Sequence, residues 1–301
     1  MSQSRTQLPK IYAVGDATVT KISEQVLDAV APAWLYPDWD PREIEKNVDW
    51  LVPGNMDRER TKFIISVHAW LVRLNGKVIL VDNGSGDDKE RPGNPVFHQR
   101  HTPYLENLAA AGVRAQDVDF VLNTHLHVDH CGWNTQLIDG EWVPTFPNAR
   151  YVFAKSELEY YASAESHNDV NVPSLGVYED SVAPIVRAGL AYQIGAEGGE
   201  VLEGLTMIPT PGHSIGHMSI GLKSSGEEAL FAGDLMHHPM QVYRPEWNSI
   251  FCEWQDQART ARRWALDYVA ERRLMLFSTH FAETSVGHVL RHGDRYAWSY
   301  V

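Results

Sequence analysis

The chain reads as an α+β fold in which mixed strands and helices build stacked sheets covered by helices. Three observations predict this. Short apolar runs of strand length recur throughout and alternate only loosely with helical patterns. Several of those runs end in histidine or aspartate. No repeat, low-complexity tract or long Pro/Gly/Ser linker divides the 301 residues, so one domain over 1–301 is expected, with about 1–60 packing on it as an N-terminal extension.

In chain order, Val14–Ile22 is the first candidate strand. Phe63–Leu74 and Val78–Asp82 follow as a hairpin, because Asn75-Gly76 between β-rich runs suits a two-residue turn with positive φ. Thr102-Pro103 is the expected start of a helix, with Gly112 closing it. Ser156-Glu-Leu-Glu159 has the form of a capping box opening a second. Ala261, Trp264, Ala265, Tyr268 and Val269 recur at helical spacing and predict a third over Gln255–Arg273. Long irregular stretches near 28–60, 84–101, 165–182 and 235–254 are candidate pocket walls.

Charge and composition narrow the function classes. Asp and Glu number 39 against 26 Lys and Arg, a formal charge of −13. Without a basic block, nucleic acid is not an expected partner. No apolar run approaches the ~20 residues of a membrane span, so no membrane is expected. The first ten residues lack an apolar stretch of signal-peptide type, and the expected location is cytoplasmic. Two cysteines, Cys131 and Cys252, do not make a disulfide framework. A small-molecule substrate is the expected partner, and a homodimer is an open expectation.

The chemistry concentrates where apolar runs end. Five runs close on Asp82, His125, His213, Asp234 and His280. If those strands pack in facing sheets, their ends meet at one edge, where rigid backbone aims the side chains. His125, His127, Asp129 and His130 place four potential ligands within six residues. Imidazole and carboxylate together suit a first-row divalent metal. In an extended segment 125, 127 and 129 alternate while 130 points elsewhere. This loop is therefore expected to serve two neighbouring ions, His125 and His127 on one and Asp129 and His130 on the other. His213 follows Gly212 in a tight turn and is favoured over His217, which reads as a buried hydrogen-bonding residue. Asp234 ends an apolar run, where a carboxylate needs a partner or a metal.

The H-x-H-x-D-H run, the later Pro211-Gly-His213, Gly233-Asp234 and the strand-end His280 resemble, in order and spacing, the metallo-β-lactamase superfamily over about residues 63–290. That resemblance implies a four-layer αβ/βα sandwich with metals at one edge. It implies two divalent ions, zinc by preference. His125, His127 and His213 would hold the first, Asp129, His130 and His280 the second, and Asp234 would bridge them.

Aspartate at 234 departs from those class B β-lactamases that carry cysteine there. The stretch 233–241 and the ending after Thr279 look closest to the methyl parathion hydrolase and N-acyl-homoserine lactonase branches. The implied activity is hydrolysis of a lactone or carboxylic ester by a hydroxide bridging two metals, with Asp129, Asp234 and His237 as catalytic candidates. His237 occupies a position where such lactonases often have tyrosine, and would donate a hydrogen bond or proton to the leaving group.

Asp82 reads either as a partner of a metal-bound imidazole or as a turn residue. Cys131 reads as packing. His68, Trp70, His238, Trp247, Phe251 and Phe281 are candidate pocket residues. Organophosphate triester hydrolysis, dehalogenation, thioester cleavage and an iron-binding redox module are the alternatives.

Overall fold

A computed structural model describes residues 10–301 of the chain. Among the described residues, sixteen strands form two seven-stranded sheets and one small hairpin. The first sheet contains β1 (Ile11–Val14), β2 (Ala17–Val30), β3 (Phe63–Leu74), β4 (Lys77–Val81) and β5 (Phe120–Leu122). The hairpin β6 (Thr135–Ile138) and β7 (Glu141–Pro144) stands apart, and β8 (Arg150–Ala154) and β9 (Ala191–Ile194) complete the sheet in the order β1-β2-β3-β4-β5-β8-β9. The second sheet follows chain order through β10 (Gly199–Leu202), β11 (Leu205–Pro209), β12 (Met218–Ser224), β13 (Glu227–Phe231), β14 (Met275–Phe277), β15 (Val286–His292) and β16 (Arg295–Tyr300).

Strand periodicity explains the layering. Side chains alternate between the two faces of a strand. Ile79 and Val81 of β4 enter the core between the sheets, while Leu80 between them joins the opposite core. In β13 and β14, Phe231 and Phe277 face the inter-sheet core, while Leu230 and Leu276 pack with Ala261, Ala265, Leu266 and Val269 of the helix Gln255–Arg272. On the far side of the first sheet, Tyr151 and Phe153 pack with Tyr104, Leu108, Leu158 and Ile185 from helices. The layers are therefore helix, sheet, sheet, helix: the αβ/βα sandwich. Strands covered on both faces read as continuous apolar runs.

Several local expectations are refined. Val14–Ile22 is broken by a turn at Gly15, where φ is +57° and a Cβ would meet the Ser224 carbonyl oxygen at 2.0 Å. Within the expected N-terminal extension, Ile11–Val14 and Ala17–Val30 are strands of the first sheet; positions 1–9 lie outside the described residues. Asn75 and Gly76 both adopt positive φ at the tip of the β3–β4 hairpin. The helix Tyr104–Ala110 starts after Pro103, and Thr102 instead bonds to Glu24 and Asp87. Ser156 caps nothing: the second helix spans Lys155–Tyr161 with no side-chain cap. No described helix is long and apolar enough to cross a membrane.

Candidate metal centre

Parallel pairing of β4 with β5 and of β13 with β14 makes their C-terminal ends leave the two sheets together. Asp82 and His125 follow the first pair; Asp234 and His280 follow the second. The turn after β11 adds His213. His125, His127, His213 and Asp234 then offer ligand atoms within 4.8 Å of one another, as do Asp129, His130 and His280.

The distances are those of donors gathered around cations. His213 Nε2 lies 2.8 Å from His127 Nδ1, 3.1 Å from His125 Nε2 and 3.3 Å from Asp234 Oδ2. On the other side, Asp234 Oδ1 is 3.2 Å from His130 Nε2 and 3.1 Å from His280 Nε2. Asp129 reaches His130 at 3.6 Å and His280 at 3.7 Å. Asp234 therefore faces both groups.

Outer hydrogen bonds fix which ring nitrogen points inward. His280 Nδ1 donates to the Ser66 carbonyl at 3.0 Å, and His130 Nδ1 to Asp82 Oδ2 at 3.0 Å. His125 Nδ1 meets the Thr124 hydroxyl, whose proton goes to Asp82. In the neutral ring each inner Nε2 is then a lone-pair acceptor aimed at other acceptors. His130 Nε2 and Asp234 Oδ1 are buried without a hydrogen-bond partner. Buried acceptors converging at these separations repel one another unless a cation lies among them, so the residues fit two divalent ions.

At His130 and His280 burial is outweighed by the carboxylates of Asp234 and Asp129, which hold His130 well above, and His280 above, the usual histidine range. At His125, His127 and His213 the electrostatics agree with ligand duty. Burial, aided by neighbouring imidazoles, holds His125 and His213 well below the usual histidine range; burial pushes His127 down to about 4. They are neutral and free to ligate. Burial pushes the Asp234 carboxyl up, but His130, His280 and His237 hold it well below the ordinary range.

The supporting residues divide by what they touch. Asp82, at φ +54°, receives the Thr124 amide and the His130 proton, as a partner of a ligating imidazole would. His217 accepts the Asp234 amide at Nε2 and turns Nδ1 to Thr210, the buried bonding role foreseen for it. Gly233, at φ +56°, is forced here: a Cβ would stand 2.5 Å from His217 Nε2. Cys131 is buried with its Sγ near the His127 carbonyl.

His237 lies 3.3 Å from Asp234 Oδ2 and lines a cavity of about 560 Å³ above the cluster. All four irregular stretches contribute to that cavity. Of the proposed pocket aromatics only Phe251 lines it. Trp70 is in the inter-sheet core, Trp247 and Phe281 in other apolar clusters. His68 bonds to Ser66 and Ser278, and His238 stacks on Phe63 with Nε2 on the Asn55 carbonyl.

Two supports were missed. Glu157 accepts from the Leu126 amide, the Ser214 hydroxyl and the Gly216 amide, tying the 125–130 loop to the 211–217 turn. Burial raises its pKa to about 7. The signal was an acidic residue on the buried face of a short helix, masked by the capping-box pattern around it. Cys252, whose Sγ lies 3.9 Å from His213 Nδ1 and 3.5 Å from the Ser249 hydroxyl, carried no sequence signal.

Comparison with known proteins agrees with this fold. A probable metallo-hydrolase of Mycobacterium tuberculosis is 24% identical over 205 residues, 57% of each chain. The chain thus spans little more than half the length of that relative. The N-acyl homoserine lactonase AttM of Rhizobium radiobacter is 28% identical over 129 residues, covering 38% of this chain and 40% of its own. Among solved structures, the hydrolase AbOPH of the beta lactamase superfamily superimposes with a TM-score of 0.83 at 24% identity, covering 99% of both chains. The dizinc quorum-quenching lactonase AidC does so at 0.75 and 19% identity, covering 97% of both. At such identities the structural likeness speaks for the fold. The family model of the metallo-beta-lactamase superfamily matches residues 64–297, and with the sandwich and its edge cluster in place, the chain belongs to that superfamily.

Proposed function

We propose that this protein is a hydrolase that uses two divalent metal ions, zinc by preference, to cleave a lactone or carboxylic ester of a small molecule. The observation that carries the reading is the convergence of seven nitrogen and oxygen donors at the floor of an apolar cavity. The likeness to N-acyl homoserine lactonases supports the choice of bond.

Two bound dications lower the pKa of water enough for it to attack near neutral pH and draw electron density from the substrate oxygen. The chain does the rest. Asp234, facing both groups of donors, fixes the spacing between them. Asp129 is the least buried of the seven and borders the cavity, so it orients the attacking water and takes its proton on a carboxylate oxygen. His237, beside Asp234 in the cavity wall, gives a hydrogen bond or a proton to the departing oxygen. Its backbone amide is anchored on Gln241 Oε1 at 2.7 Å, and Gln241 is held by Tyr36 and the Trp247 carbonyl. Val128, Phe251 and Ile65 around the cavity exclude bulk water from the reacting groups.

A panel of homoserine lactones, aryl esters and phosphotriesters tests the reading. Lactones or esters are expected to turn over, with activity lost on chelation and restored by zinc. Turnover of phosphotriesters alone, or undiminished ester turnover after complete chelation, contradicts it.

A further inference from the structure

The outer wall of the cavity comes from a part of the chain outside the superfamily match. Residues 64–297 supply the donors, whereas Val26–Val30, Ala31, Trp34 and Leu35 line the cavity from the end of β2 onward. The pairing of β2 with β3 slips between Ser23 and Gln25 and again between Leu27 and Val30. Bulges of this kind bend a strand and re-aim its side chains. Here they accompany the passage of β2 from sheet to cavity wall.

Two side chains on this segment bear on selection. Trp34 is 54% exposed at the cavity rim, beside Val26 at 61% and, from the facing loop, Val96 at 44%. Its ring meets Phe251 edge-on at 5.5 Å; Phe251 lies 5.9 Å from His237, and His237 stacks over His280 at 5.6 Å. An aromatic file thus runs from the rim to the metal ligands. Asp28 is the other. The acidic groups of the lining are Asp28, Asp129 and Asp234, and among the described residues no lysine or arginine lines it. An anionic group that stays at the rim, away from the donors on the floor, would face Asp28 and no basic side chain.

We propose that Trp34 and Asp28 are the specificity-determining residues of this cavity: Trp34 packs against the apolar part of the substrate, and Asp28 rejects substrates that end in an anion. The substrate class is then an uncharged ester or lactone whose apolar group extends from the reacting bond to the rim. This rests on the hydrolytic reading above, and shape and charge at the rim supply what the shared donors do not.

The test uses the zinc-loaded full chain and two series of aryl esters, straight-chain acyl groups of increasing length and the same chains ending in carboxylate. In the neutral series kcat/KM is expected to rise about two- to fourfold per methylene, as partial burial of each CH₂ implies. The carboxylate-ended partners are expected to be slower by about fivefold, as like charges meeting at an exposed rim imply. Trp34→Ala should lower the ratio of long-chain to short-chain kcat/KM by about tenfold, and Asp28→Lys should raise the carboxylate-to-neutral ratio by about tenfold. Both positions are exposed, and circular dichroism checks that the variants fold. Either ratio staying at its unmodified value overturns the proposal, as do equal rates for neutral and charged partners.

If no ester or lactone turns over, the hydrolytic reading fails, and selectivity is read by calorimetry. Asp28→Lys should then raise the affinity of the carboxylate-ended analogue relative to N-hexylacetamide by about tenfold. An unchanged ratio overturns the proposal.

Discussion

Asp82 serves two histidines at once, taking the Nδ1 proton of His130 directly and reaching His125 through Thr124. Its left-handed backbone, uncommon for a non-glycine residue but tolerated by aspartate, turns the carboxylate back under the site. Asp82→Ala should therefore weaken metal affinity about 10- to 100-fold while leaving every donor atom in place, measured by competition with a chelating dye. Glu157 makes a parallel case. Removing its carboxylate strands the Leu126 and Gly216 amides, and Glu157→Ala is expected to cost about 2–4 kcal/mol in urea unfolding. The ligand run was legible because donor side chains crowd into six positions; Glu157 was not, because its role depends on the helix that carries it lying between two loops distant in sequence.

At the scale of elements, the helix Gln255–Arg272 anchors the loop that carries His237. Buried Arg262 donates to the Leu235 and Pro245 carbonyls and to the Asn248 side chain. Arg262→Met leaves those acceptors unpaired, and a loss of about 3 kcal/mol is expected, with faster hydrogen exchange over 235–248. That helix was readable from its apolar spacing, and the β3–β4 hairpin from Asn75-Gly76. Cap residues were misread: Thr102 and Ser156 fit capping patterns, but tertiary partners claimed Thr102, and Ser156 packs against Gly216. The pocket aromatics misled for a related reason. Alternation along β3 puts Trp70 between the sheets, a placement that depends on register.

At the scale of the molecule, the layered cores and the metal centre depend on each other, because strands β4, β5, β13 and β14 end in the residues that ligands and supports require. Buried Lys89 is a separate reporter of the folded state. Its Nζ bonds Thr135 and lies 3.6 Å from Asp180, and burial pushes its pKa down to about 8 although Asp180 pulls the other way. The folded protein gives up this proton near pH 8, whereas the unfolded chain keeps it to about 10.4, so the unfolded state binds more protons between those values. Stability should gain up to about 1.4 kcal/mol per pH unit from this group across that window, a slope that Lys89→Met lacks in urea titrations.

Whether seven residues on one sandwich edge hold two ions through a shared Asp234 is read most directly from metal content. After loading with zinc and exhaustive dialysis, the unmodified chain is expected to retain about two ions and Asp234→Ala fewer than one. One retained ion in the unmodified chain, or two in Asp234→Ala, contradicts the account.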